Sequence, residues 1–245
     1  MTLWKNHNWS VRQAAIRIVL VEPEKAGNIG AVARAMKNFD LSNLWIVNPK
    51  TSTSTIEAKA FAMHGYEVLA KARSTKTLGK ALKGLDLVVG TSAVAATSRS
   101  NLVRLPITPT QLAAKIRACK GNVGILFGRE SSGLSNKEVE ACDFLVTIPA
   151  SRAYNVLNLA SAASIIFYEL FRTGSIRSGP LLMSRVVKVR MLSQFDLLVK
   201  RSGVQQHKRK LAQRAFHNVI SRSFISAREA SLLLGVLRRA TAKLT

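Results

Sequence analysis

A lone arginine among small apolar residues is the first feature of this chain that suggests chemistry. The apolar run IRIVLVE, residues 16–22, is followed by GNIGAVARAMKNF, residues 27–39, in which Arg34 has alanine on both sides. A helix that only covers a sheet has no use for this guanidinium, because burying an unpaired charge is costly. The pattern therefore indicates that Arg34 faces a group that carries, or acquires, negative charge.

A glycine loop is the second such feature. The segment FGRESSGLS, residues 127–135, leads into a stretch in which Ser135 and Glu138 have the spacing of a helix capping box. Gly128 and Gly133 can adopt backbone angles closed to other residues and let a ligand approach the main chain. The loop matches neither the dinucleotide fingerprint nor the phosphate loop, which disfavours a nicotinamide-dependent oxidoreductase and a nucleotide triphosphatase.

The elements that must position these loops are predicted to be alternating strands and helices. Helical patterns separate five continuous apolar runs, which are residues 16–22, 43–48, 85–93, 122–128 and 144–149. This alternation predicts an α/β fold with a mostly parallel sheet and helices on both faces. Ligands bind beyond the carboxyl ends of such strands. The polar segments there are EPEKAGN, NPKTST, GTSAVAATSRS, GRESSG and PASRAYN.

The last 70 residues have a different character. Three helical patterns, residues 182–199, 205–219 and 226–242, follow a boundary rich in Gly, Ser and Pro at residues 172–180. From residue 176 onward the chain has 15 Lys and Arg against only Asp196 and Glu229. This excess of one sign favours an RNA-binding appendage over the alternative, a solvated helical dimerisation tail.

The charge of the whole chain supports the same interpretation. There are 37 Lys and Arg against 13 Asp and Glu, which gives a formal net charge of +24. Such an excess does not determine a fold, but it favours polyanionic partners, nucleic acid before an anionic membrane. The alternative is a solubilising surface, although such surfaces usually mix both signs.

Several other classes of protein are disfavoured by composition. The apolar share of 47% is enough for a sizeable core. The chain has no apolar run of about 18 residues and no apolar segment of a secretory signal, so no transmembrane helix or signal peptide is expected. Cys119 and Cys142 are not spaced as a metal or redox pair, which indicates a reducing, intracellular setting. No metal site is predicted, since no ligand motif joins the four histidines, His7, His64, His207 and His217.

Three segments in a fixed order carry a resemblance to a known family. They are GNIGAVARA after the first predicted strand, LFGRESSGLS after the fourth and IPASRAYNVLNLA after the fifth. In this order and spacing they resemble the SPOUT RNA methyltransferases. Within that superfamily the chain looks most like the TrmJ family, which methylates the ribose 2′-oxygen of tRNA cytidine and uridine. The resemblance covers residues 16–171.

The resemblance implies a more specific architecture than the apolar pattern does. In this family the C-terminal segment of the methyltransferase domain threads into a deep trefoil knot, here residues 144–171, and S-adenosylmethionine binds in the loops of the knot. Family members act as cytoplasmic homodimers with catalytic sites close to the subunit interface. The implied organisation is an N-terminal extension (1–15), a knotted SPOUT domain (16–175) and a small basic α-helical RNA-binding domain (176–245).

The resemblance also implies roles for individual residues. The implied cofactor-binding residues are Thr91, Ser92, Ala93, Gly128, Ile148, Asn155, Val156 and Leu157. The implied catalytic residues are Asn28 and Arg34, which would face the reacting ribose, with Glu130 and Asn158 in support. Two simpler interpretations stay open: Asn158 could be only a helix cap, and Glu130 could be a surface charge paired with Arg129.

Arg34 would then act on the ribose hydroxyl, which loses a proton and develops negative charge as the methyl group is transferred. The family assigns the matching arginine to activation of this hydroxyl. Arginine is effectively always protonated, so a general-base role requires an unusual environment. The interpretation we adopt is that Arg34 holds a phosphate, stabilises the oxyanion, or both. The alternative is a helix arginine that extends to solvent.

The chain departs from the family pattern at two places. Many relatives have serine directly before the LN of the last motif, where this chain has Val156, preceded by Asn155. Relatives often have an arginine shortly after GTSA, and here Arg99 would substitute from a shifted position.

Three functional hypotheses follow. The first is an S-adenosylmethionine-dependent 2′-O-methyltransferase of tRNA, acting at nucleotide 32 of the anticodon loop on cytidine, uridine or both. The second is the same chemistry on ribosomal RNA. The third, motivated by Val156, is a non-catalytic RNA-binding protein that retains the knot.

Overall fold

The fold is built on one parallel sheet. A computed structural model of the protein describes residues 16–93, 106–118, 120–173 and 181–244. The seven strands in this part of the chain lie in the order β3-β2-β1-β6-β4-β7-β5, and every neighbouring pair is parallel. The strands are β1 (Ile16–Val21), β2 (Leu44–Val47), β3 (Arg73–Thr75), β4 (Leu87–Thr91), β5 (Pro106–Ile107), β6 (Val123–Phe127) and β7 (Phe144–Val146).

Helices connect the strands and continue beyond the last one. Within the described residues they are α1 (Ala26–Asn38), α2 (Ile56–Ala62), α3 (Tyr66–Ala70), α4 (Leu78–Leu82), α5 (Pro109–Arg117), α6 (Asn136–Glu140), α7 (Leu159–Arg172), α8 (Arg185–Arg201), α9 (Gln206–Arg222) and α10 (Ala227–Lys243). A 3-10 turn, Met63–Gly65, joins α2 to α3. These helices fit the predicted alternation of strands and helices.

The sheet is buried on both faces, as its continuous apolar strands predict. In β1, Ile18 and Leu20 belong to the larger core, while Val19 and Val21 point into the core on the opposite face. The larger core also contains apolar residues of α1, α5 and α7, and the smaller core contains residues of α4 and α6. The α/β part of the fold prediction is therefore confirmed.

The strand order creates a crevice at the carboxyl edge of the sheet. From β1 the chain runs outward to β2 and β3, then returns to β4 on the other side, and β6 later fills the gap between β1 and β4. The loops after β1, β4, β6 and β7 therefore leave the same edge in neighbouring positions. Such a reversal of winding is the usual location of a ligand site in an open α/β sheet.

Two short strands differ from the sequence prediction. All five predicted strands are present, but β3 has the polar sequence RST and β5 has only two residues. Neither carries an apolar run, because both lie at the ends of the sheet. Neighbouring strands, rather than their own sequence, place these segments in the sheet.

The helix predicted after β2 is interrupted at the 3-10 turn. Met63 has a left-handed backbone, with φ of 46°, and Gly65 lies against α1. A Cβ atom on Gly65 would lie 2.5 Å from the Cα atom of Arg34. Only glycine therefore lets the turn approach α1 this closely.

The three C-terminal helices match their predicted positions to within a few residues. They share a small core of their own, in which the rings of Phe195 and Phe216 stack with centroids 3.9 Å apart. They also join the amino end of the sheet, where Phe224 packs on Phe144 with centroids 5.5 Å apart. Leu182 belongs to the larger core of the sheet. Residues 174–180, where the sequence predicts a boundary, lie outside the described part of the chain.

A buried ion pair fixes this junction. Lys188 in α8 donates to Asp143, with 2.6 Å between Nζ and Oδ1, and the two side chains are 9% and 5% exposed. The second carboxylate oxygen of Asp143 accepts from the Val88 N–H at 2.7 Å. Lys188 is therefore tied through one carboxylate to the start of β4.

Candidate functional site

A cavity of about 360 Å³ opens at the carboxyl edge of the sheet. It lies between the segments that follow β4, β6 and β7, and α7 closes one side. All eight residues that the resemblance assigns to cofactor binding line it: Thr91, Ser92, Ala93, Gly128, Ile148, Asn155, Val156 and Leu157. Segments that are far apart in sequence are thus assembled around one space.

The cavity combines an apolar floor with polar edges. Its apolar wall includes Phe127 and Ile166, which are buried in the core. The Thr91 hydroxyl donates to the Leu126 carbonyl at 3.0 Å, so it ties β4 to β6. The Asn155 side chain donates to the Ala93 carbonyl at 3.1 Å and bridges two of the lining segments. Residues 94–105, which include Arg99, lie outside the described part of the chain.

The loop after β6 depends on glycine at its first position. A Cβ atom on Gly128 would lie 2.1 Å from the carbonyl carbon of Gly133, so no larger residue fits. Two backbone hydrogen bonds close the loop: Arg129 N–H donates to Gly133 O at 3.1 Å, and Gly133 N–H donates to Arg129 O at 2.8 Å. Gly133 has a φ of 68°, a left-handed conformation that favours glycine.

The side chain of Arg129 also holds this loop in place. Its Nη1 and Nη2 atoms donate to the two carboxylate oxygens of Glu138, both at 3.0 Å, and Nη1 also donates to Gly133 O at 3.2 Å. Its Nε atom donates to Glu22 at 3.2 Å. The guanidinium therefore links the end of β1, the glycine loop and the start of α6.

These ion pairs shift the pKa values of all three groups. Hydrogen bonds from Asn48, Lys50 and Arg129 lower the pKa of Glu22 to about 2. Burial acts to raise the pKa of Glu138, but hydrogen bonds from Arg129 and Ser135 outweigh it and lower that pKa. The contact with Glu138 raises the pKa of Arg129 further above its ordinary value. All three groups are therefore charged at neutral pH.

Glu130 connects the glycine loop to the start of α1. Its carboxylate accepts from the N–H groups of Glu24 and Lys25 at 2.9 and 3.2 Å, and from the Asn28 side chain at 2.8 Å. Arg129 is engaged with Glu22 and Glu138, so its pairing with Glu130, the alternative left open by the sequence, is wrong. A carboxylate at a helix N-terminus is favourably placed, because free backbone N–H groups point toward it.

Asn28 and Asn158 extend this connection to α7. The Asn158 side-chain amide donates to Asn28 Oδ1 at 3.0 Å, while Asn158 Oδ1 accepts from Ala160 N–H at 2.8 Å and caps α7. Asn158 is therefore both a helix cap and a bridge. Three separate elements, the glycine loop, α1 and α7, meet through Glu130, Asn28 and Asn158.

Arg34 lies apart from this cluster. It is exposed on α1, outside the lining of the cavity. Arg34 follows Asn28 by six positions, which places the two side chains roughly 120° apart around the helix and about 9 Å apart along it. The structure thus brings Asn28 to the supporting residues and leaves Arg34 open to an incoming molecule.

Within the described residues, Cys142 is not a candidate nucleophile and no metal site is formed. Cys142 is buried, and burial raises the pKa of its thiol, so it is a poor nucleophile. Within the described residues, no cluster of three or more His, Cys, Asp and Glu side chains has the arrangement of a metal site. In the same part of the chain, no helix has the length and apolar character needed to cross a membrane.

Comparison with known proteins decides the family. The model of the SpoU rRNA Methylase family matches residues 15–168, which include every strand and lining residue of the cavity. The chain belongs to the SpoU methylase family. The SPOUT resemblance carried by the three motifs is thereby confirmed.

Similar proteins narrow the comparison within the SpoU methylase family. The tRNA (cytidine-2′-O-)-methyltransferase TrmJ of Methanocaldococcus jannaschii is 38% identical over 229 residues, with 91% of this chain and 98% of that protein covered. The tRNA (cytidine/uridine-2′-O-)-methyltransferase TrmJ of Escherichia coli is 44% identical over 158 residues, with 63% and 62% covered. The crystal structure of TrmJ from Z. mobilis superimposes with a TM-score of 0.71 at 27% identity, covering 92% of this chain and 99% of that one.

The ion-pair network is the part of the site that sequence reasoning missed. Glu22 directly follows the buried strand β1, Arg129 lies two positions after the end of the buried strand β6, and these strands are neighbours in the sheet. Opposite charges at the carboxyl ends of two strands were the available signal. The pairing of these charges could be predicted only from the strand order, because β1 and β6 are about 100 residues apart in sequence.

Proposed function

We propose that this SpoU methylase transfers a methyl group from S-adenosylmethionine to the ribose 2′-hydroxyl of a tRNA nucleotide. The observation that carries the proposal is the single cavity lined by the eight residues predicted for the cofactor. It occurs in a chain that is similar over nearly its whole length to a protein named as a tRNA 2′-O-methyltransferase.

The cavity suits S-adenosylmethionine in size and character. Its volume of about 360 Å³ is within the usual range for small-molecule sites. Phe127 and Ile166 provide apolar surface for an adenine ring, and the main chain of Gly128 and Ile148 provides donors and acceptors for its edge. Asn155, Val156 and Leu157 would close the site. When bound, the cofactor supplies an electrophilic methyl group on a positively charged sulfur.

Arg34 is the residue proposed to act on the ribose. Its exposed position on α1 leaves its guanidinium available to a phosphate or to the oxygen that becomes negative during transfer. A fixed cation beside a developing oxyanion lowers the barrier, while the hydroxyl proton passes to solvent water. Asn28 would contact the ribose, while Glu130 and Asn158 hold Asn28 in its orientation.

The basic helices are proposed to bind the tRNA body. Exposed Lys and Arg side chains cover α8, α9 and α10, and phosphate contacts from such residues supply most non-specific affinity for RNA. The names of the similar proteins support cytidine or uridine as the base. Nucleotide 32 of the anticodon loop is the target that the family resemblance implies.

A cytoplasmic homodimer with a trefoil knot at residues 144–171 completes the proposal, with domains at 16–175 and 176–245. Large apolar side chains exposed on α2 and α7, the helices that pack against α1, support the dimer. Phe61 in α2 is 54% exposed, and Tyr168 in α7 is 49% exposed. A second subunit packed on α2 and α7 would cover both side chains.

The test is a methyl-transfer assay with labelled S-adenosylmethionine and unmodified tRNA, followed by mapping of the modified nucleotide. Label on a ribose 2′-oxygen at nucleotide 32 is the expected result. Purified ribosomal RNA is the parallel acceptor, because the name of the SpoU rRNA Methylase family makes it the second candidate. Label on ribosomal RNA alone would replace the tRNA proposal.

A non-catalytic RNA-binding protein is the other candidate. The observation that favours it is Val156, which is 51% exposed at the position where many relatives have serine. This candidate predicts salt-sensitive RNA binding without cofactor binding. Calorimetric titration with S-adenosylmethionine separates the two, since measurable heat of binding rejects the non-catalytic protein.

A further inference from the structure

Arg129 poses an electrostatic problem for the proposed cofactor. It lines the cavity, and burial leaves its side chain only 19% exposed. S-adenosylmethionine has a positive sulfonium, and two positive charges close together in a partly buried site repel each other strongly. The reaction product, S-adenosylhomocysteine, has a neutral thioether at the same position. A bare guanidinium in the lining would therefore favour the product over the methyl donor.

The contacts of Arg129 remove this problem. Both terminal nitrogens bond to Glu138 at 3.0 Å, and the Nε atom bonds to Glu22 at 3.2 Å. Glu22 is also paired with Lys50 at 3.0 Å. Two carboxylates thus face two cations, and the cluster of Glu22, Lys50, Arg129 and Glu138 has no net charge. Glu130, also in the lining, accepts from backbone and side-chain amides.

The backbone of Glu22 suggests that this arrangement is specifically maintained. Glu22 has a left-handed φ of 48°, and Asn48, whose φ is 44°, donates a hydrogen bond to it at 2.8 Å. Left-handed backbone is unfavourable for a residue with a side chain and persists where surrounding contacts hold it. Here those contacts aim the Glu22 carboxylate at Arg129.

We infer that Glu22 and Glu138 neutralise Arg129 so that the cavity accepts a positively charged methyl donor, and that Arg129 is a positioning residue for the glycine loop. The inference rests on the proposed function, because it presumes a sulfonium ligand in this cavity. It goes further by assigning the preference between donor and product to an ion cluster that does not touch the reacting ribose.

The first test variant is Glu138→Gln. Glutamine keeps the capping box with Ser135 and removes only the negative charge. Calorimetry on the full chain should show affinity for S-adenosylmethionine weakened about 3- to 10-fold, and affinity for S-adenosylhomocysteine changed less than about twofold. The matched control is Glu229→Gln, the same replacement at the same position of the Ser226–Glu229 capping box of α10, which should change neither affinity.

The second test variant, Arg129→Gln, should act in the opposite direction. It leaves Glu22 and Glu138 without their shared cation, so the ratio of donor to product affinity should rise about 3- to 10-fold above that of the unmodified protein. If the substitution loosens the loop after β6, the affinities for S-adenosylmethionine and S-adenosylhomocysteine will fall by the same factor, and their ratio will not change for that reason. The ratio is measured on one folded preparation and is independent of the fraction that is folded.

The outcomes separate this inference from the proposed function. Opposite shifts of the ratio in Glu138→Gln and Arg129→Gln support charge compensation. If both variants lose affinity for both ligands by the same factor, the ion pairs only hold the loop in place. That result would overturn the inference and leave the proposed function intact. Absence of binding by either ligand to the unmodified protein would overturn both.

Discussion

The carboxyl edge of the sheet and the C-terminal helices use charge in opposite ways. At the sheet edge Glu22, Arg129, Glu138 and Glu130 are engaged in hydrogen bonds of defined geometry. On α8, α9 and α10 the charges are mostly of one sign and exposed: Arg190, Lys200, Lys208, Lys210, Arg214, Arg228, Arg238, Arg239 and Lys243. Paired charges fix the position of loops, whereas exposed charges of one sign attract a polyanion.

The two regions meet at the far end of the sheet from the cavity. The contacts Lys188–Asp143 and Phe224–Phe144 lie at the start of β7, and the cavity lies beyond its carboxyl end. The cavity proposed for the chemistry and the helices proposed for RNA attraction therefore lie at opposite ends of the sheet. Substitutions in one region should leave the property of the other nearly unchanged, and four predictions test this separation.

The largest expected effect on activity is loss of turnover in Arg34→Ala. Removing the cation beside the developing oxyanion should lower kcat by about 10²- to 10³-fold. Cofactor affinity should stay within about twofold, because Arg34 lies outside the cavity lining. Single-turnover methyl transfer and calorimetry measure the two quantities. A full rate in this variant would reject the oxyanion role of Arg34. An equal loss of cofactor affinity would contradict the placement of Arg34 outside the cofactor cavity.

The second prediction concerns the junction between the regions. Lys188→Met leaves the Asp143 carboxylate buried without its cation, which should lower the free energy of unfolding by about 3–5 kcal/mol. The matched control is Lys37→Met, which breaks an exposed pair with Glu67 and should cost less than about 1 kcal/mol. Denaturant unfolding compares them. Equal costs would mean that the buried pair does not fix the helices to the sheet.

The third prediction isolates RNA attraction. The double variant Lys208→Gln, Lys210→Gln removes two exposed charges from α9 and should weaken tRNA binding by roughly tenfold at low salt, with a shallower salt dependence. S-adenosylmethionine affinity should not change. The control pair, Lys71→Gln and Lys76→Gln, removes the same charge from the surface near β3. An equal effect of the control on tRNA would show that net charge alone, and not the helices, attracts the RNA.

The smallest effect is the pH dependence of the paired edge. The pKa of Glu22 is lowered from 4.5 to about 2, so its pairing stabilises the fold above pH 4.5, and that contribution is lost as the pH falls toward 2. Because solvent screens this pair, we expect Glu22→Gln to lower the free energy of unfolding by about 1 kcal/mol at pH 7. Unfolding at several pH values should show the difference vanishing near pH 2. A difference independent of pH would contradict the ion pairing.

Much of the fold and of the site was predictable from local patterns. Continuous apolar runs identified the five main strands, because a strand buried on both faces needs apolar residues at every position. Ser135 with Glu138 identified the start of α6, since a capping box is complete within four residues. The motif order identified the family, and with it eight of the residues that line the cavity. Each of these signals is carried by residues close together in sequence.

Tertiary structure alone decided how distant segments meet. Strands β3 and β5 exist because neighbours offer them hydrogen bonds, not because their sequences favour strands. The pairing of Arg129 with Glu22 and Glu138, rather than with the adjacent Glu130, follows from placing β1 beside β6. Lys188 can be buried because it pairs with Asp143, the residue directly before β7. The sequence determined which segments are strands, helices and polar loops, and only the sheet order determined which charges become partners, because ion pairing depends on distances in space.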